Sequence, residues 1–367
     1  MTQVLCVAGA RPNFMKIAPV MAALAEAGIS AQLLHTGQHY DAAMSDGFFA
    51  DLGIPHPDHH LDVGSGSHAV QTAEVMKRFE PVLDTVQPQA VLVVGDVNST
   101  IACALVAAKR GVRVIHVEAG LRSYDRQMPE EINRVLTDQI SDLLFITEKS
   151  ALTNLQREGI DPVRVEFVGN VMIDTLHRNL ERAVPASQTL GETLAAYAVV
   201  TLHRPSNVDD PDTLSALLEV IADINRSVPV VMPLHPRTRG NIEKFGLTAQ
   251  LDGLRILPPV GYLDMLGLMR DAKLVLTDSG GIQEETTALG VPCLTLRDNT
   301  ERPITLTEGT NTLVGADPAA IRAAFADVMS SGGKAGRIPE YWDGRAAQRI
   351  AQHLKIWLPQ RHGVRSA

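Results

Sequence analysis

An apolar run, a polar turn and the start of a helix follow one another in Leu274-Val275-Leu276-Thr277-Asp278-Ser279-Gly280-Gly281-Ile282-Gln283-Glu284-Glu285. The apolar run predicts a buried strand, and the later residues predict a helix that ends at Gly290. The free backbone N–H groups and the positive dipole end of such a helix favour an anion, and Gly280 and Gly281 allow the backbone to approach it closely. The motif indicates either a site for a phosphorylated ligand or an ordinary strand-to-helix turn.

The same alternation of short apolar runs and amphipathic segments extends along the whole chain. In the first half the apolar runs are residues 4–7, 31–35, 90–94, 112–117, 143–147 and 163–168. In the second half they are residues 198–202, 228–233, 254–257, 273–277 and 292–296. This pattern predicts parallel sheets covered by helices, and hence an α/β fold with two doubly wound, Rossmann-like domains.

A polar segment separates the two predicted domains. Residues 169–174 lead through a polar helix to residues 185–188, whose composition is typical of a linker. We predict an N-terminal domain over residues 1–170, a C-terminal domain over residues 171–357 and a frayed tail over residues 358–367. The helical periodicity of residues 341–358 is also compatible with a last helix that packs back across the domain junction.

The composition is that of a soluble globular protein. The chain has 367 residues, 45% of them hydrophobic and 20% charged, a length typical of two domains. A net charge of −9 argues against nucleic acid or an anionic membrane as the main partner. The chain has no apolar run of about 20 residues and no signal-peptide pattern, so we expect a cytoplasmic protein. Its three widely spaced cysteines predict reduced thiols rather than a disulfide framework or a metal site.

Cationic side chains follow the first predicted strand. Ligands of open parallel sheets bind beyond the carboxyl ends of the strands. Arg11 lies in the turn after this strand and Lys16 lies in the following helix, so both are placed to reach a diphosphate. Lys16 could instead be a solvated helix residue, but a cation near a helix N-terminus opposes the helix dipole, which favours a functional role.

Carboxylates follow the next strands of the first half. Asp96 and Glu118 come at the ends of neighbouring predicted strands, where two acids can converge on one substrate. Asp96 could instead cap a helix, and Glu118 could pair with Arg122 or Arg134. Glu130 lies in the first turn of a helix that opens with proline, a position where acids are usually structural.

Histidines occur at three further places. His203 follows the first strand of the second half and is suited to titrate near neutrality or to bind a phosphate, although a lone histidine is more often structural. The same applies to His235. His56, His59 and His60 lack the spacing of a metal site, and we expect a polar loop there. The chain also lacks the motifs of nicotinamide binding, of P-loop nucleotidases and of serine hydrolases, which excludes these classes.

Together these segments resemble the non-hydrolysing UDP-N-acetylglucosamine 2-epimerases, which have the two-domain GT-B fold. The resemblance extends from Gly9 to Gly315. Its motifs are Arg11-Pro12 with Lys16, Gly37-Gln38-His39, Gly95-Asp96, Val117-Glu118-Ala119-Gly120-Leu121-Arg122, Pro129-Glu130-Glu131 with Asn133-Arg134, His203-Arg204, Asp278-Ser279-Gly280-Gly281-Ile282-Gln283-Glu284-Glu285 and Arg297-Asp298-Asn299-Thr300-Glu301-Arg302-Pro303. The set is specific, although none of its members is specific alone.

The resemblance implies reversible conversion of UDP-GlcNAc to UDP-ManNAc in a cleft between the domains, by elimination of UDP to 2-acetamidoglucal and re-addition. The implied phosphate-binding residues are Arg11, His203, Ser279 and Gly280, with Gly281 beside them; Glu285 would bind the ribose and Arg302 is a further nucleotide-site candidate. The implied acid/base carboxylates are Asp96, Glu118 and Glu130, with Lys16 completing their cluster and His203 as a further catalytic candidate. The implied partners are a UDP-sugar and a second copy of the chain in a homodimer, and no metal or other cofactor is required.

Two departures from the family pattern leave the sugar open. Asn13 and Ser206 each stand where the family often has Glu. One alternative is a C2 epimerase of another UDP-amino sugar such as UDP-2,3-diacetamido-glucuronic acid, which would need an additional cation. Others are a hydrolysing relative that releases ManNAc, a non-catalytic UDP-sugar sensor and a GT-B glycosyltransferase, against which the three carboxylates argue.

Overall fold

The computed structural model describes residues 2–37 and 53–360, except for the side chain of Arg11. Backbone contacts divide the chain into two compact units. Within the described residues, the first unit comprises those up to Thr175 and those from Glu340 onward, and the second unit comprises Leu176–Pro339. The first boundary thus lies shortly after the predicted one at residue 170, and the last helix belongs with the N-terminal residues.

The first unit is built on a parallel sheet with the strand order β3-β2-β1-β4-β5-β6-β7 among the described residues. These strands are β1 (Val4–Ala8), β2 (Ala31–His35), β3 (His59–His60), β4 (Ala90–Val94), β5 (Arg113–Ala119), β6 (Leu143–Ile146) and β7 (Val165–Phe167). All residues of β1, β4 and β5 are buried, as expected for a sheet with helices on both faces. Consecutive parallel strands need a crossover, which in most cases here is a helix.

The second unit repeats this arrangement in a parallel sheet with the order β10-β9-β8-β11-β12-β13. Its strands are β8 (Ala198–Thr201), β9 (Val230–Pro233), β10 (Arg255–Leu257), β11 (Leu274–Thr277), β12 (Cys293–Thr295) and β13 (Asn311–Leu313). The central strands β8 and β11 are fully buried and pair along four residues. The predicted α/β fold with two doubly wound parallel sheets is confirmed.

Helices connect the strands in both units. They are α1 (Arg11–Glu26), α2 (His68–Val86), α3 (Asn98–Lys109), α4 (Pro129–Ile140), α5 (Lys149–Arg157), α6 (Val171–Asn179), α7 (Ala186–Leu190), α8 (Pro205–Val208), α9 (Pro211–Asn225), α10 (Pro236–Lys244), α11 (Tyr262–Arg270), α12 (Gly280–Leu289), α13 (Pro303–Thr307), α14 (Pro318–Ser331) and α15 (Ala346–Trp357). In the described part of the chain, none of the helices combines the length and the apolar character that crossing a membrane requires.

The strands that the sequence did not predict lie at sheet edges. Every predicted apolar run contains a strand, whereas β3 and β13 were missed. The expectation of a polar loop at His59 and His60 was wrong, because these residues pair with β2 as its outer neighbour. Two or three residues at an edge are too few to show an alternating apolar pattern, so such strands leave no sequence signal.

The last helix, α15, is anchored to the first unit by buried polar contacts. The carboxylate of Asp174 accepts the backbone N–H groups of Ala346 and Ala347, at 3.1 and 2.7 Å. The guanidinium of Arg113 donates to three backbone carbonyls at the end of the helix and stacks on the ring of Trp357, 4.1 Å from its centroid. Both ends of α15 are therefore tied to β5 or α6.

Backbone packing at the start of α15 makes a testable demand on Gly169. This glycine has φ +91°, and a Cβ atom there would lie 2.2 Å from the carbonyl oxygen of Tyr341. Gly159 has a similar φ of +79°, but a Cβ there would meet no described atom within 4 Å. We expect Gly159→Ala to lower the free energy of unfolding by about 1–2 kcal/mol from the left-handed backbone alone.

Gly169→Ala should lower it by more than about 3 kcal/mol, because the backbone of residue 341 must also move. Urea unfolding of the two variants checks this comparison. Equal losses of stability would show that the close approach to Tyr341 is not a constraint.

Candidate functional site

In the first unit, the predicted acids come together where β4 and β5 end. Val94 pairs with Val117 in the sheet, so the residues that follow both strands emerge side by side. Glu118 has φ +72°, and the pairing of β5 with β6 shifts register between Val117 and Ala119. A positive φ is costly for a residue with a side chain, and such strain is most often kept at functional sites.

Lys16 forms a buried ion pair with Glu118. The Nζ atom of Lys16 contacts Oε2 of Glu118, and their side chains are only 10% and 3% exposed. The same ammonium lies 3.5 Å from the position that a Cβ atom of Gly95 would occupy, next to Asp96. The structure therefore excludes a solvated Lys16 and places its charge beside both predicted acids.

Asp96 pairs with Arg134 rather than capping a helix. The N-cap of α3 is Val97, and Oδ2 of Asp96 contacts Nη2 of Arg134. Arg134 also binds Glu131, whose carboxylate accepts the backbone N–H of Ser123. Burial raises the pKa of Glu131, but this N–H group and the charge of Arg134 outweigh burial and hold that pKa below its usual value.

The remaining residues of this cluster have structural partners or stay outside the description. Glu130 is half-buried in the first turn of α4, one residue before Glu131. Asn13 replaces the family's Glu and is buried, accepting the N–H of Ala10 and donating to the carbonyl of Val94. The side chain of Arg11 lies outside the described part, as do Gln38 and His39 of the resemblance.

In the second unit, Asp278 holds His203 and the turn that follows β8. Oδ1 of Asp278 lies 2.7 Å from Nδ1 of His203, and Oδ2 accepts the backbone N–H groups of His203 and Arg204, both at 2.9 Å. Burial raises the pKa of Asp278, but the contacts with His203 and these N–H groups outweigh burial and keep it low. The ring of His203 stays 42% exposed, so the imidazole is fixed in orientation and reachable by a ligand.

The turn after β11 has the predicted form, with a different reason for each glycine. Ser279 is the N-cap of α12, and its side chain makes no capping hydrogen bond within the described residues. A Cβ atom on Gly280 would lie 2.7 Å from Oε1 of Glu301, whereas one on Gly281 would meet no described atom within 4 Å. Gly280 is therefore required by internal packing, and the space beside Gly281 is open to a ligand.

Glu301 is the buried anion of this turn. Its Oε2 atom lies 2.8 Å from Nη2 of Arg297, and its Oε1 atom lies 3.6 Å from Nη2 of Arg204. Burial raises the pKa of Glu301, but the charges of Arg302 and Arg297 outweigh burial and hold it far below its usual value. A permanently charged carboxylate thus keeps several arginines next to the start of α12.

Glu285 and Arg302 are both held by buried partners. The hydroxyl of Tyr262 donates to Oε1 of Glu285 at 2.9 Å, and Nε of Arg302 lies 2.7 Å from Oε1 of Glu284. Burial raises the pKa of Glu285 to about 7, against the hydrogen bond from Tyr262, which lowers it. Glu285 therefore titrates near neutral pH.

The sequence missed Tyr262 and Glu301 as members of this site. Tyr262 begins a helix far from the quoted motif, and no pattern links it to Glu285. Glu301 lies in the quoted 297–303 motif, but nothing in the sequence indicates that its carboxylate reaches Gly280. Among the described residues, no group of three or more His, Cys, Asp or Glu side chains is arranged to hold a metal ion.

Comparison with known proteins gives a consistent match over almost the whole chain. A family model described as UDP-N-acetylglucosamine 2-epimerase matches residues 22–355. The chain is 42% identical over 360 residues to the UDP-2,3-diacetamido-2,3-dideoxy-D-glucuronate 2-epimerase of Pseudomonas aeruginosa, covering 96% of this chain and 99% of that protein. It is 41% identical over 359 residues to the UDP-N-acetylglucosamine 2-epimerase of Methanocaldococcus jannaschii, covering 94% and 97%.

A solved structure is similar over the same extent. The crystal structure of Methanocaldococcus jannaschii UDP-GlcNAc 2-epimerase in complex with UDP-GlcNAc and UDP superimposes with a TM-score of 0.88 at 40% identity. The match covers 97% of this chain and 100% of that one.

The different surroundings of the two glycines lead to opposite expectations for the unliganded protein. Gly280→Ala should lower the free energy of unfolding by about 1–3 kcal/mol, because Glu301 is pinned by arginines and must shift. Gly281→Ala should raise it by roughly 0.5–1 kcal/mol, because alanine favours the helix and meets no neighbour. Thermal unfolding without ligand distinguishes the two, and equal shifts would refute the assignment of Glu301.

Proposed function

Because this chain belongs to the UDP-N-acetylglucosamine 2-epimerase family, we propose that it interconverts UDP-N-acetylglucosamine and UDP-N-acetylmannosamine by inversion at C2. The observation that carries this proposal is the buried Lys16–Glu118 pair beside the Gly95-Asp96 turn. Inverting a stereocentre by proton transfer requires removal of the proton on one face and return on the other. A cluster with more than one carboxylate meets this requirement.

The chemistry explains why a diphosphate site must accompany the carboxylates. The C2 proton is only weakly acidic, so its removal needs the C1–O bond to break in the same process. One carboxylate takes the proton, the C1–O electrons leave with UDP, and a C1–C2 double bond forms in 2-acetamidoglucal. UDP oxygen then adds back to C1 while a carboxylic acid returns a proton to C2 from the opposite face.

In the first unit, Glu118, Asp96 and Glu130 are the proposed proton-transfer groups. Lys16 supplies the countercharge that an ionised Glu118 needs in a buried position. Arg134 does the same for Asp96 and fixes its orientation through Glu131. These contacts support a preorganised acid/base pair, because neither carboxylate is left to find its position when substrate arrives.

In the second unit, His203, Ser279, Gly280 and Gly281 are the proposed phosphate-binding groups, with Arg11 of the first unit as a further candidate. The start of α12 offers backbone N–H groups and the positive dipole end to the departing diphosphate. The exposed ring of His203, oriented by Asp278, is placed to donate to a phosphate oxygen. Glu285 is proposed to accept the ribose hydroxyls, and Arg302 to support the nucleotide site through Glu284.

A second candidate substrate is UDP-2,3-diacetamido-2,3-dideoxy-D-glucuronic acid. The observation that favours it is the 42% identity to the Pseudomonas aeruginosa enzyme, over 99% of that protein. The reaction at C2 would be the same for both sugars. The carboxylate on C5 would require an additional cation, and the neutral Asn13 leaves one negative charge fewer beside Lys16 than the family's usual Glu.

Proton NMR in deuterated water tests the proposal and separates the candidates. Each UDP-sugar is incubated with the enzyme, and we expect the C2 epimer to grow to a steady ratio with deuterium at C2 for the true substrate. Asp96→Asn and Glu118→Gln should still bind UDP but lose most turnover, because each removes a proposed proton-transfer group.

Other outcomes of this experiment contradict the proposal. Release of the free amino sugar would identify a hydrolysing enzyme, and transfer only in the presence of an acceptor would identify a glycosyltransferase. UDP binding without any change in either sugar would indicate a sensor. Near-normal turnover of Asp96→Asn or Glu118→Gln would remove that residue from the reaction.

The titration of Glu285 predicts pH-dependent binding of the nucleotide. Its folded pKa of about 7 lies above the ordinary value of 4.5, so this group favours folding at low pH and that stability is lost as pH rises from 4.5 to 7. The ionised form accepts hydrogen bonds from both ribose hydroxyls. We therefore expect affinity for UDP-GlcNAc to rise roughly tenfold from pH 6 to pH 8.

Calorimetric titration of the Asp96→Asn variant measures this affinity without turnover. Tyr262→Phe removes a hydrogen bond that lowers the pKa of Glu285, so the midpoint should move to higher pH. Glu285→Gln is the matched control and should bind weakly with no midpoint near 7. A midpoint that persists in Glu285→Gln would assign the titration to another group.

Two expectations remain predictions. A homodimer and a cytoplasmic location are implied by the family resemblance and the sequence, respectively. Light scattering at micromolar concentration tests the first. The proposed reaction requires no metal and no other cofactor, so activity should persist in a chelator.

A further inference from the structure

We propose that His116 is a positioning residue of the proton-transfer site, which together with Asp138 clamps the backbone segments that carry Asp96 and Glu118. The inference rests on the proposed epimerase function. His116 and Asp138 are both 0% exposed, so neither reaches substrate. Their effect on the reaction must pass through the residues that they hold.

Both ring nitrogens of His116 meet hydrogen-bond acceptors. Nε2 lies 2.9 Å from the carbonyl oxygen of Gly95, the residue before Asp96. Nδ1 lies 2.6 Å from Oδ1 of Asp138. A carbonyl and a carboxylate only accept, so both nitrogens carry hydrogen and the ring is an imidazolium.

Asp138 connects this ring to the segment after Glu118. Its Oδ2 atom accepts the backbone N–H of Gly120 at 3.1 Å and Nη2 of Arg122 at 2.6 Å. Burial raises the pKa of Asp138, but the charges and hydrogen bonds of His116 and Arg122 outweigh burial and keep it low. Arg122 also binds Glu158, which completes the set of charged groups around the clamp.

The clamp holds the backbone on both sides of the strained residue. Glu118 has φ +72° and Gly120 has φ +76°, and the N–H of Gly95 bonds to the carbonyl of Val117 at 3.1 Å. A strained conformation persists only where the surroundings determine it from several directions. The Asp138–His116 pair supplies that restraint to Gly95 and Gly120 at once, and so sets the spacing of Asp96 and Glu118.

A histidine is required here because it donates at two ends of one rigid ring. Glutamine offers one N–H end and one oxygen end, so His116→Gln would set an amide oxygen against the carboxylate of Asp138. Changing Asp138 to Asn as well would supply an N–H group to that oxygen. The double variant restores every hydrogen bond of the clamp without its charges.

This pattern gives a rescue experiment on the full-length enzyme. His116→Gln should lower kcat about 100-fold, while KM for the UDP-sugar and the dissociation constant of UDP change less than about threefold. Adding Asp138→Asn should recover about tenfold or more of the lost kcat. Val114→Ala, a buried change in the same strand, is the control for simple loss of stability and should keep kcat within about threefold.

Amide hydrogen exchange tests the clamp independently of the reaction. Exchange of residues 95–97 and 118–121 should accelerate in His116→Gln and return toward the wild-type rate in the double variant. If wild-type enzyme exchanges no C2 proton of either UDP-sugar, the proposed function fails, and unchanged amide exchange would then overturn the clamp separately. The clamp is also overturned if the double variant is no more active than His116→Gln, or if KM rises as much as kcat falls.

Discussion

The parallel pairing of the strands is the constraint on which the site depends. Each strand returns to the sheet through a crossover, so successive strands end at the same edge. Val94 and Val117 are partners in this pairing, and the segments that follow them carry Asp96 and Glu118. The first unit therefore concentrates acids at a single edge without any local sequence motif that joins them.

Burying charge at that edge is costly and calls for close compensation. Removing water from an ion costs several kcal/mol, and leaving one partner of a buried pair alone costs about 3–5 kcal/mol. Lys16 compensates Glu118, and Arg134 compensates both Asp96 and Glu131. A packed apolar cluster would be at least as stable, so the retention of these charges argues for a chemical role rather than a structural one.

The second unit uses buried anions for a different purpose. Asp278 and Glu301 accept hydrogen bonds or ion pairs from the turns around the start of α12, and both stay ionised because cations or N–H groups surround them. Glu285 has only Tyr262 as a hydrogen-bond donor and so titrates near neutrality. Two of these carboxylates thus shape the turns, while the third remains able to respond to a bound ligand.

The sequence by itself determined the α/β class, the two parallel sheets and the turn after β11, because these depend on apolar runs and glycines that are close together in the chain. It also placed the acids at strand ends, since position after a strand is a local property. Only the tertiary structure decided which charges pair. Lys16 with Glu118, His116 with Asp138 and Tyr262 with Glu285 are contacts between distant segments. Such contacts depend on how helices pack across a sheet, which no local pattern encodes.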